Sequence, residues 1–179
     1  MRCATPDRVR RIAEKQQKQM ISDTSRWSII TTVWILFDKF KWSKERVEYF
    51  LRRYDEQTDM IAPQRERYVP YDDRTKPGYT FDEIHEEVGL DIKLKNSRQS
   101  GNKVEQTIGN LQDHCIRWIL DVILNTLRNK CGWGDTMCRR FASYYNTAIP
   151  QLSEPTQNYE RIKKDLFDKY GFKFEVTVK

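Results

Sequence analysis

Apolar residues recur at three- and four-residue spacing in two long stretches, one opening each half of the chain. The first carries Val9, Ile12, Met20, Trp27, Ile30, Val33, Trp34, Phe37 and Phe40. That period predicts an amphipathic helix, because 3.6 residues per turn returns such positions to one face. Thr5-Pro6 suits its start, a hydroxyl cap followed by a residue with no N–H to satisfy. Ser22-Asp23-Thr24-Ser25 is a candidate interruption, since short polar side chains compete for backbone hydrogen bonds. Ser43 then caps a second helix, with Val47, Phe50, Leu51, Tyr54 and Ile61 inward and Pro63 at its end. Residues 62–79 hold Pro63, Pro70 and Pro77 and read as a long loop. Thr80-Phe81-Asp82-Glu83 is a capping box opening a short third helix, and Gly89 closes it. Leu90, Ile92 and Leu94 alternate with Asp91, Lys93 and Lys95, the period of a strand.

The second half repeats this order. Val104, Ile108, Leu111, Cys115, Trp118 and Val122 form the first stripe. Asp135 caps a second helix with Met137, Cys138, Phe141, Ala142 and Tyr145 inward. Pro150 and Pro155 mark a shorter loop, and Tyr159, Ile162, Leu166 and Tyr170 line a third helix ended by Gly171. Phe172, Phe174, Val176 and Val178 then alternate with polar residues. Identities reinforce the pattern: at a spacing of 91 residues, Arg26-Trp27 falls on Arg117-Trp118, Leu36 on Leu127, Lys39 on Lys130, Trp42 on Trp133, Phe50 on Phe141 and Tyr54 on Tyr145. Val88–Ile92 is similar to Tyr170–Phe174 at a second spacing.

The expected fold is therefore mainly α with a small β element. Two diverged helix-helix-helix-strand repeats, residues 7–95 and 103–179, flank a polar linker at 96–102 and form one compact domain. A pseudo-twofold between them lets each unit bury what the other exposes. The two strands pair within the chain, or between chains in a homodimer.

Composition narrows the class. The chain has 179 residues, and aromatics at 12% exclude a disordered polyelectrolyte. No apolar run approaches the roughly 18–20 residues of a membrane span. No apolar stretch follows Arg2, Arg8, Arg10 and Arg11, so no signal peptide is expected, and the four cysteines are expected reduced in the cytoplasm. The net charge of +6 is unevenly placed. Residues 2–18 and the linker region (Lys93, Lys95, Arg98, Lys103) are basic, whereas residues 71–91 are acidic.

The catalytic inventory is thin. His85 reads as a solvated helix residue and His114 matches no zinc spacing with Cys131 and Cys138. Cys131 and Cys138 align with Phe40 and Val47, so they read as core positions. Asp82, Glu83, Glu86 and Glu87 read as a solvated face rather than a metal site. No phosphate loop, dinucleotide glycine pattern or nucleophile elbow is present. No enzyme activity, catalytic residue, cofactor or metal is therefore expected. Cations beside aromatic residues suit an anionic ligand, because charge meets phosphate and rings stack on bases. The candidate ligand-binding residues are Arg26, Trp27, Lys39, Arg46, Arg117, Trp118, Lys130 and Arg139. Equivalent Arg26 and Arg117 would flank one pseudo-symmetric site.

The stretch Leu36–Leu51 resembles a motif in small uncharacterised helical accessory proteins of Firmicutes phages and prophages. Those proteins join a helix to a basic amphipathic helix through a turn reading Asp-Lys-Phe-Gly-Phe-Gly. Here Lys41 stands for the first glycine, Trp42 for the aromatic residue and Ser43 for the second glycine. Gly132-Trp133-Gly134 is closer at the turn but lacks the basic run Lys44-Glu45-Arg46. The resemblance implies a phage accessory protein in the infected bacterial cytoplasm and assigns no catalytic residue. The expected function is antagonism of host defence, by sequestering an anionic nucleotide immune signal at the repeat junction. The alternative is a nucleic-acid-binding regulator or a protein inhibitor of a defence nuclease.

Overall fold

The computed structural model describes residues 6–65, 85–86, 88–90, 103–148 and 155–174. The fold is mainly helical. Its long helices are α1 (Pro6–Asp38), α2 (Lys44–Arg65), α3 (Lys103–Asn129), α4 (Asp135–Ala148) and α5 (Pro155–Tyr170). Among the described residues there is no strand, and no helix is long and apolar enough to cross a membrane. The expected loop 62–79 begins as helix, since α2 runs to Arg65. Its remainder 66–79, the capping box 80–83, the linker 96–102 and most of the two strands, 91–95 and 175–179, lie outside the described residues. Within the second strand's expected start, Phe172 and Phe174 are buried and Lys173 is exposed, without ladder pairing.

The expected break at Ser22–Ser25 does not form, and α1 runs through it. Thr24 is buried, and Gln19 Nε2 donates to Asp23 Oδ1 one turn on, so the polar side chains serve the helix. The second helix ends two residues past Pro63, within the latitude of a fraying end.

The two turns joining α1 to α2 and α3 to α4 share one hydrogen-bond pattern. Lys39 and Phe40 N–H donate to the Ile35 carbonyl, and Trp42 N–H to that of Leu36. Ninety-one positions on, Lys130 and Cys131 donate to Thr126, and Trp133 to Leu127. Lys41 and Gly132 both take positive φ, 53° and 71°. Val47 donates to Ser43 and Cys138 to Gly134. This last pair corrects the expected cap: Gly134 takes the place of Ser43, and Asp135 is the first helical residue, 2.8 Å from Arg128.

The halves interlock. α1 packs most heavily on α3, and α2 packs on α3 more than on its own α1. The turns meet, since Trp42 and Trp133 stand edge to face with centroids 5.4 Å apart. α1 and α3 therefore run side by side toward the same end. α5 lies along α1, with Tyr159 against Trp27 and Tyr170 stacked on Phe37 at 4.8 Å. Helical residues 85, 86 and 88 lie on α3: His85 Nδ1 is 3.1 Å from Asp121 Oδ2, and Arg128 Nη1 donates to the Val88 carbonyl at 2.9 Å. Each half's third segment thus rests on the other half's first helix.

Candidate functional site: the paired-turn end

The core beneath the turns is a continuous aromatic cluster. Trp133 sits 4.7 Å from Phe40 and 6.1 Å from Phe141, and Trp42 lies 6.4 Å from Phe50. These rings gather because each turn folds its tryptophan back over its own helix ends. Tyr49 OH ties the halves by donating to the Lys130 carbonyl at 3.4 Å.

Cations cover this cluster. The Arg46 guanidinium lies 4.2 Å above the Trp42 ring. Lys39 Nζ sits 5.5 Å from the Trp34 ring centre and 5.9 Å from that of Tyr144. Arg140 lies 5.8 Å from both Phe40 and Tyr144. Arg53 lies 5.1 Å over Tyr49. Tyr49 and Arg53 match Arg140 and Tyr144 in register, so both halves build the same stacked pair with the residues exchanged. Such contacts fix long side chains while leaving their charge at the surface.

Part of this charge answers the helix dipoles. The C-termini of α1, α3 and α5 all reach this end, and cations there offset the partial negative charge of unpaired carbonyls. Asp38 shows the local balance. Its carboxylate is 2.8 Å from Lys39 and accepts from Tyr170 OH at 3.3 Å. The Lys39 ammonium is the main cause holding the Asp38 carboxyl below its ordinary range, and Asp38 raises Lys39 in return.

The eight sequence-selected residues fall into two groups. Lys39, Arg46, Lys130 and Arg139 come together at the turn end, all of them exposed. Arg26, Trp27, Arg117 and Trp118 lie 11 or 12 residues back from the helix ends, about 17–18 Å along the axis. There Trp27 is buried, edge-on to Tyr159 at 5.5 Å, and Trp118 packs partly buried against the core. Arg26 and Arg117 have different surroundings. Arg26 lies near Tyr159, with its Nε buried and lacking a hydrogen-bond partner, whereas Arg117 lies near the Asp121 carboxylate.

Besides Arg53 and Arg140 at the turn end, three polar features escaped sequence reasoning. His85 is held against buried Asp121 rather than freely solvated. Burial is the main cause raising the Asp121 carboxyl, with His85 and then Arg117 opposing it. A signal existed: Asp121 interrupts the apolar run Ile119–Leu124. Gln57 bridges Asn125 and Thr126 inside the α2–α3 contact. Tyr145 is fully buried, and burial pushes its phenol up.

Burial likewise raises the Cys131 and Cys138 thiols, so neither is poised as a nucleophile. Among the described residues, no group of three His, Cys, Asp or Glu side chains could hold a metal ion. The turn end thus presents exposed cations backed by aromatic rings. Comparison with family models, with curated proteins and with solved structures finds no match to this chain.

Proposed function

We propose that this chain is a non-enzymatic binding protein that takes a nucleotide-like anion at the end where its two turns meet. The observation that supports this most is the seating of Arg46, Lys39 and Arg140 over aromatic faces. A cation already held on a ring loses less rotamer freedom when an anion arrives. The role that accompanies the phage resemblance is antagonism of host defence by sequestering a nucleotide immune signal in the infected cytoplasm. The two halves are read as diverged copies related by a pseudo-twofold. Seven identities at one spacing and the shared turn bonds support that reading.

Calorimetry against cyclic nucleotides and ADP-ribose derivatives tests the ligand class. Binding that weakens with added salt is expected, and no heat with any of them sinks the nucleotide reading. One observation favours a second reading, a nucleic-acid backbone. Exposed Lys41 and Lys44 on one turn and Lys130, Arg139 and Arg140 on the other share one end of the bundle. An affinity for single-stranded DNA that falls linearly on logarithmic salt axes, with a slope of several phosphates, would favour it.

A further inference from the structure

The two turns have the same backbone and different charge. At four matched positions the first carries Lys39, Lys41, Lys44 and Arg46, and the second Lys130, Gly132, Asp135 and Met137. The hydrogen bonds are alike, so folding does not demand the first set. Lys41 is the informative member. Its φ of 53° lies in the left-handed region, where a Cβ crowds the following carbonyl and glycine does not. Gly132 holds the same conformation without that strain, although an added Cβ there would meet no atom within 4 Å. Both turns thus have room for a side chain, and only the first bears one, at a cost to stability.

A packing role does not account for Lys41, because its side chain is exposed. Its charge helps lower Asp38, but Lys39 already pairs with Asp38 at 2.8 Å. Lys44 is shared with Glu48 at 3.9 Å. Lys41 directly precedes Trp42 in the chain, the Arg46 guanidinium lies over the Trp42 ring, and both cations are exposed. Residues in sparsely populated backbone regions cluster at ligand-binding and switch positions.

We infer that Lys41, with Arg46, contacts a phosphate or phosphodiester group of the ligand, and that the site lies on the first turn rather than symmetrically between the two. This rests on the anion-binding reading above and sharpens it.

The test pairs thermal unfolding with calorimetric binding of three probes: pyrophosphate, ADP and a short oligothymidylate. Lys41→Gly is expected to raise Tm by about 2–4 °C, by relieving the strained backbone. It should also weaken the probe that binds by about five- to tenfold. Lys41→Ala, which keeps the strain and removes the charge, should weaken binding equally without the gain in Tm. Gly132→Lys should lower Tm and leave affinity within twofold. Tight binding of ADP or pyrophosphate identifies a free nucleotide as the source of the phosphate, and preference for the oligothymidylate identifies a nucleic-acid strand. If the wild type binds no probe, the anion-binding reading fails and this inference with it. If the wild type binds and Lys41→Gly binds as well, only the role of Lys41 is overturned. A Lys41→Gly variant no more stable than wild type overturns the strain argument.

Discussion

The two halves hold their third segments on the core by different chemistry at matched places. In the second half, Phe37 of α1 stacks on Tyr170 at 4.8 Å and touches Phe172 at 5.3 Å. In the first, the equivalent of Phe37 is Arg128, which donates to the Val88 carbonyl, while His85 meets buried Asp121. Both segments end on a glycine with positive φ, Gly89 at 58° and Gly171 at 59°. Each glycine N–H reaches back four residues, to His85 and to Phe167. The backbone address is shared and the attachment is not. Ring stacking carries no net charge, so pH and ionic screening act on it less than on a polar clamp, although Tyr170 OH also bonds the Asp38 carboxylate.

Removing the aromatic attachment should have the largest effect. Phe37→Ala strips the partner from Tyr170 and Phe172 and leaves a cavity at a buried site, at a cost of about 3–5 kcal/mol. Urea unfolding measures it. A loss below about 1 kcal/mol would show that α5 is anchored elsewhere. The matched break on the polar side is Arg128→Ala. It removes the donor to Val88 and the 2.8 Å contact with Asp135, and should cost about 1–3 kcal/mol. Amide exchange separates the two variants. Arg128→Ala should speed exchange at Val88–Leu90 and leave α5 protected, and the reverse holds for Phe37→Ala.

A third break uses pH. The Asp121 carboxyl titrates higher in the folded chain than in the unfolded one, chiefly because it is buried. The folded state therefore binds the proton more tightly. Stability from this group is fullest below the unfolded value, about 3.9, and is lost as pH rises through the folded value. His85 and Arg117 face the same carboxylate and reduce the effect without reversing it. Asp121→Asn removes the titration. Its Tm relative to wild type should climb as pH rises from the acid side to neutrality. A constant gap would mean that His85 and Arg117 fully compensate the burial.

Much of the local architecture was legible because its causes are local. The stripes through Trp27–Phe37 and Trp118–Val122, the Ser43 cap and the stops at Gly89 and Gly171 each depend on a few neighbouring residues. Contacts between elements were not legible. Gln57 bonds residues 68 and 69 positions away, and His85 bonds Asp121 36 positions away, with no spacing rule to announce them. The candidate site was half legible for a reason the matched positions supply. Identity between halves selects what both halves need to fold, which is why Trp27 and Trp118 pack into or against the core. A difference on an unchanged backbone, such as Lys41 against Gly132, carries the other kind of information.

The smallest expected effect comes from finishing the conversion of one turn into the other. Ser43 Oγ accepts from the Arg46 N–H at 3.4 Å, a long bond at an exposed helix start. Gly134 serves the matched position with no side chain at all, and Cys138 N–H still reaches its carbonyl at 3.1 Å. Glycine is itself an acceptable N-cap, so Ser43→Gly should cost only a few tenths of a kcal/mol. Ser43→Ala keeps a Cβ but loses the acceptor and should cost more, about 0.5–1 kcal/mol. Urea unfolding of the pair orders them. If Ser43→Gly proves the worse of the two, the turns are not interchangeable at this position, and the hydroxyl does more in the first turn than cap α2. In that event Ser43 joins Lys41 among the residues by which the first turn departs from its twin for reasons other than folding.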